Sequence, residues 1–145
     1  MMSSYDEVNE ILLSNGIQDS LDKNDKLHIS HDIHSKLPVS LDIMACYNDE
    51  LPSMDIDNWN TSKDRIRASM ADNLIDEKYF LFIKASPKNH MLTVNKDQLK
   101  NLIFSNEFCY PFALFSCDLG SFLMEEKSGT IVGFGDFSRV VKSEL

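Results

Sequence analysis

The last third of the chain narrows the possible folds more than any other stretch. Three strand-forming runs, FCYPFALFSC, SFLMEEK and TIVGFGDF, follow one another with only Asp118-Leu119-Gly120 and Lys127-Ser128-Gly129 between them. Connections this short join antiparallel neighbours, because a parallel crossover needs a dozen residues or more. Pro111 lacks the N–H that a paired interior position requires, so the first run is expected to begin after it or to lie along an edge. YFLFIKA, starting at Tyr79, is apolar on both faces, as a strand covered on two sides should be. MLTV at 91–94 supplies a further short strand after the Ser86-Pro87-Lys88-Asn89 turn.

The N-terminal half reads as helices and one alternating segment. SSYDEVNEILLSNG opens on a capping-box spacing, Ser4 to Glu7. It lines Val8, Ile11 and Leu12 on one face and closes at Asn15-Gly16, so a short amphipathic helix is expected. Residues 17–38 are polar, weakly periodic and end at Pro38, which suits a loop. VSLDIMACY at 39–47 alternates. Val39, Leu41, Ile43, Ala45 and Tyr47 would face inward on a half-buried strand. NDELPSMDIDNWN at 48–60 has the Pro and Asn/Asp content of an exposed loop. Ile66, Met70 and Leu74 recur every four residues and predict a second helix. The Asn95–Gln98 capping-box spacing before Leu99, Leu102 and Ile103 predicts a third. The expected fold is α+β: one domain over 1–145, an antiparallel sheet of about five to six strands with about three helices packed on one side.

Charge is unevenly spread. Residues 1–77 hold 16 Asp/Glu against 6 Lys/Arg, net −10, whereas residues 78–145 hold 7 against 8, net +1. Between Leu37 and Ser62 there are five acids, Asp42, Asp49, Glu50, Asp55 and Asp57, and no Lys or Arg. Such a surface repels a phosphate backbone and attracts a basic partner, so direct nucleic-acid binding is not expected. Asp6, Glu7 and Glu10 without a basic residue do not resemble a signal peptide. The longest apolar run, YFLFI, is far short of the ~20 residues that span a bilayer, and no membrane partner is expected. Cys46, Cys109 and Cys117 form an odd set without a CxxC, expected to be reduced and buried in a cytoplasmic protein.

The sequence HISHDIH, residues 28–34, holds three of the four histidines and is the strongest hint of chemistry. His28, His31 and His34, with Asp32 beside them, could in principle serve a small metal-dependent hydrolase. The spacing is not that of HExxH, no CxxC completes a site, and His90 sits near a turn, so exposed loop histidines are expected and no metal or other cofactor. Gly133-Phe134-Gly135 lies inside a β pattern with no long helix after it. A bulge or tight crossing is expected there, not a dinucleotide loop. The segment from Asp55 to Ile66 has Trp59, Asn60 and Ile66 where a calcium loop needs a ligand, a glycine and a glutamate. Glu125 and Glu126 would point to opposite faces of a strand, and Cys46 has no histidine near it in sequence. No catalytic residue is assigned, and the chain is not read as an enzyme.

The acidic stretch with Trp59, the only tryptophan, is then the best candidate for recognition: acids hasten encounter and an aromatic anchor supplies the hot spot. The candidate partner-binding residues are Asp42, Asp49, Glu50, Asp55, Asp57 and Trp59. In size, charge and its C-terminal ALFSCDLGSFLMEEKSGTIVGFGDF, the chain resembles the small acidic immunity proteins that protect bacteria from contact-dependent growth inhibition toxins. That resemblance implies a protein that occludes the active site of one cognate toxin domain, often a basic nuclease. It assigns no individual residues. The alternative within the binding class is a phage-type inhibitor or DNA mimic directed at a nucleic-acid-binding protein.

Overall fold

Strands β4 (Lys78–Ile83) and β6 (Phe112–Ser116) are paired interior strands of a six-stranded antiparallel sheet. Their neighbours are β5 (His90–Asn95), β7 (Phe122–Glu125), β8 (Thr130–Phe134) and the three-residue β3 (Ser53–Asp55), in the order β3-β8-β7-β6-β4-β5. The computed structural model describes residues 2–55, 62–103 and 108–143. The meander expected from the three C-terminal runs is present, and β6 starts immediately after Pro111.

Both faces of the sheet are covered, which is why Phe112–Ser116 and Phe122–Glu125 are buried at every position. Leu81, Ile83, Leu114, Leu123 and Ile131 point to one face, where they meet α1 (Ser4–Ser14), α3 (Ser62–Asp72), α4 (Lys96–Ile103) and α5 (Ser138–Lys142). Phe82, Ala113, Phe115, Phe122, Met124 and Val132 point to the other. There they meet α2 (Lys23–Lys36) and a small hairpin of β1 (Val39–Ser40) and β2 (Ala45–Cys46). The expectation of helices on one side is therefore corrected: α2 lies on the opposite face from the rest.

Two local expectations also change. Residues 23–36 are helical, not loop. Asp22 caps the helix by accepting from the Asp25 N–H at 2.7 Å, and Asp25 reaches back to the Asp22 N–H at 3.4 Å. The apolar pattern is weak because this helix fully buries only Ile33, while Leu27 stays exposed. Residues 39–47 are two two-residue strands with a turn between them, not one strand. Met44 turns the chain at φ 53°, and Leu41 and Met44 enter the core while Ile43 and Tyr47 are left outside. The first helix is capped one residue earlier than its spacing suggests, by Ser3 accepting from the Asp6 N–H at 3.2 Å. Ser4 instead bonds Ser86, accepting from its N–H at 2.8 Å. The Asn95–Gln98 box forms as expected, with bonds of 2.8 and 3.0 Å. The glycines mark a tight crossing: a Cβ on Gly133 would lie 2.6 Å from the Phe137 carbonyl oxygen, where the chain enters α5.

Two polar features are buried among the apolar side chains. Arg67 of α3 and Glu125 of β7 are each 4% exposed. The Arg67 Nε donates to Glu125 Oε2 at 3.1 Å, Nη2 lies 3.1 Å from the same oxygen, and Nη1 donates to the Phe108 carbonyl at 2.8 Å. His90 of β5 is also buried; its Nε2 donates to the Tyr5 carbonyl at 3.0 Å and its ring stacks on Tyr5 at 4.0 Å.

Removing one member of a buried ion pair takes away hydrogen bonds and attraction that offset the desolvation of the other. Arg67→Leu is therefore expected to lower stability by about 3–5 kcal/mol in urea unfolding. Burial pushes the His90 imidazole below its ordinary 6.5, outweighing the Tyr5 carbonyl bond and nearby Asp19, while Lys26 and Lys88 push the same way as burial. The unfolded chain then binds the proton more readily than the folded one. Stability from this group is complete above pH 6.5 and is lost as pH falls through the lower folded value. The urea midpoint should decline over that interval, and His90→Phe, which keeps an aromatic ring but cannot titrate, should flatten the decline.

Candidate functional site

The hairpin that follows α2 is held by contacts on three sides. The Tyr47 N–H donates to the Pro38 carbonyl at 2.7 Å, closing the hairpin base. The Cys46 N–H donates to Glu126 Oε1 at 2.8 Å, and Lys84 Nζ donates to the Asp42 carbonyl at 2.7 Å. His34 accepts the Leu41 N–H on its Nε2 at 3.1 Å, tying α2 to the turn. With Leu41 and Met44 buried beneath, the turn has a defined outer surface.

That surface carries the acids expected from sequence. Asp42, Asp49, Glu50 and Asp55 are all exposed. The Glu50 N–H is held by Asn48 Oδ1 at 3.0 Å, and Asp55 accepts from Thr130 Oγ1 at 2.9 Å across the β3–β8 pair. Asp57 and Trp59 lie outside the described residues. Two side chains missed by the sequence reading share this stretch: Ile43 is 61% and Tyr47 62% exposed. The strict alternation of 39–47 had assigned them to the buried face. The turn that reverses their direction contains no glycine, asparagine or proline; its residue signals are Asp42 and Ser40, whose Oγ accepts from the Ile43 N–H at 3.4 Å.

The histidine cluster separates into different environments. At three-residue spacing on a helix, each histidine is rotated about 60° from the next and the set spans about 9 Å. His28 faces Asp32 at 3.6 Å, His34 serves the hairpin, and His31 is exposed. Among the described residues no group of three or more His, Cys, Asp or Glu is arranged to hold a metal ion. The cysteines are free, and Cys109 and Cys117 are exposed rather than buried, which corrects that expectation. Burial pushes the Cys46 thiol up, with Glu126 and Asp49 adding to it against the Asn48 N–H, so it stays protonated near neutral pH. Glu125 and Glu126 do point to opposite faces, one to Arg67 and the other to Cys46.

No helix among the described residues is long and apolar enough to cross a membrane. Comparison with models of protein families, with curated proteins and with solved structures finds no match.

Proposed function

We propose that this protein is a binder of a basic protein, acting in the manner of an immunity protein that plugs the active site of a nuclease toxin. The observation that carries this reading is that two exposed apolar side chains, Ile43 and Tyr47, lie in the same short stretch of chain as the exposed Asp42, Asp49 and Glu50. Exposed acids on a chain of net charge −9 draw a Lys/Arg-rich partner in and raise the association rate. They do not by themselves hold it. An aromatic and an aliphatic anchor that lose water on contact supply the slow dissociation, with the acids as a surrounding rim. A nuclease must carry cations to grip phosphates, so an acidic plug matches its active site in charge. The exposed Asp55 of β3 adds a further acid, and Asp57 and Trp59 follow it in sequence.

On this reading the neighbouring gene should encode a basic toxin domain, and the test measures binding of that domain by surface-immobilised kinetics. Tyr47→Ala should weaken affinity by about ten- to hundredfold, chiefly through faster dissociation. Asp49→Lys with Glu50→Lys should slow association and flatten its dependence on salt. All three side chains are exposed, so unfolding midpoints should stay unchanged. Unaltered affinity and salt dependence in both variants would remove this surface as the recognition site.

A further inference from the structure

A cleft of about 230 Å³ lies between α2 and the turn that joins β6 to β7, on the sheet face that α2 covers. Ile29, Phe80 and Leu119 give it an apolar lining; Asp32 and Lys36 come from the helix, with His28 3.6 Å from Asp32, and Asp118 comes from the turn. The turn is built to present that carboxylate. Asp118 Oδ1 accepts from Ser116 Oγ at 2.7 Å and from the Gly120 N–H at 2.9 Å, and Leu119 takes the left-handed conformation at φ 59°. The Gly120 and Ser116 donors hold the Asp118 carboxyl below its usual range, so it is an anion at neutral pH. Lys36 forms no ion pair among the described residues. Cys117 also borders the cleft, but partial desolvation of its sulfur pushes the thiol up, which makes it a poor nucleophile.

We propose that this cleft binds a small ligand carrying a cation and a carboxylate at opposite ends of a short apolar stem, with free arginine as the best-matched form. Its two carboxylates outnumber its one ammonium, an imbalance that arginine's net positive charge offsets. Asp32 and Lys36 are four residues apart on α2, about 6 Å along the helix axis. The ammonium and carboxylate of a simple amino acid share one carbon and cannot span that distance, whereas a side-chain cation and the α-carboxylate can. A guanidinium between Asp32 and Asp118 would stack its plane on Phe80 and offer paired N–H donors to the carboxylates. The α-carboxylate would reach Lys36, at the C-terminal end of the helix. The cleft is smaller than the ~300–1,000 Å³ of drug-sized sites, which suits a ligand of amino-acid size. This site is separate from the hairpin surface and does not depend on its reading.

Amide chemical shifts of the ¹⁵N-labelled protein titrated with arginine, agmatine and citrulline decide the matter. Agmatine lacks the carboxylate and citrulline lacks the side-chain cation, with little other change in shape. Arginine should shift the amides of residues 32–36 and 118–121 saturably, with a dissociation constant on the order of millimolar. Citrulline should bind about tenfold or more weakly, and so should arginine to Asp118→Asn, which keeps the turn's acceptor oxygen but not its charge. Lys36→Met should make arginine and agmatine equal. No saturable shift, equal shifts from citrulline, or full binding by Asp118→Asn would each overturn the proposal.

Discussion

The contact between Arg67 and Glu125 is the constraint around which the helical face of the sheet is organised. A strand in the middle of a sheet covered on both sides should carry apolar side chains, and β7 does so at Phe122, Leu123 and Met124. Glu125 breaks that pattern, and a buried carboxylate requires a cation with matched geometry. Arg67 meets it with a planar guanidinium and gives a third N–H to the Phe108 carbonyl. The same guanidinium lies 5.9 and 5.7 Å from the Phe108 and Phe112 ring centres, so its flat face is covered by aromatic carbon. One residue thereby fixes α3, the chain entering β6 and the end of β7 relative to each other. An apolar pair could fill the same volume, but it would accept several helix rotations, whereas a forked donor set accepts few.

The opposite face is organised differently. There α2 and the β1–β2 hairpin lie over an apolar sheet surface, joined by the His34 to Leu41 bond and anchored by Ile33, Leu37, Leu41 and Met44. With the sheet interior already secured, the outer side of this layer is free to be acidic and to expose Ile43 and Tyr47. The charge imbalance between the two halves of the chain follows from this division of labour. The C-terminal half supplies most of the sheet, and the N-terminal half supplies much of what surrounds it.

How far the sequence revealed this depended on whether local signals agreed with tertiary packing. The antiparallel meander, the helix from Ser4 and the Asn95–Gln98 cap were legible because turn residues, periodicity and capping spacing pointed the same way. Helix α2 was missed because its apolar stripe is thin; the Asp22–Asp25 cap was the available signal, in a less common acidic form. The hairpin was misread because Leu41 and Met44 are both buried, an odd spacing that only a turn can produce. The acids of the candidate surface were legible from charge alone, but its apolar anchors were not, since their exposure depends on that turn. The partner of Glu125 was invisible in sequence, because Arg67 lies 58 residues away and only the fold brings them together.

The central functional claim is that residues 42–50 form the recognition surface. Amide hydrogen exchange, measured for the protein alone and saturated with the basic toxin domain that the proposal requires, tests this most directly. The account predicts slowed exchange across 42–50 and into β3, with the exposed side of α1 unchanged. Slowing confined to α1 or to any other surface, with 42–50 exchanging as in the free protein, would contradict it.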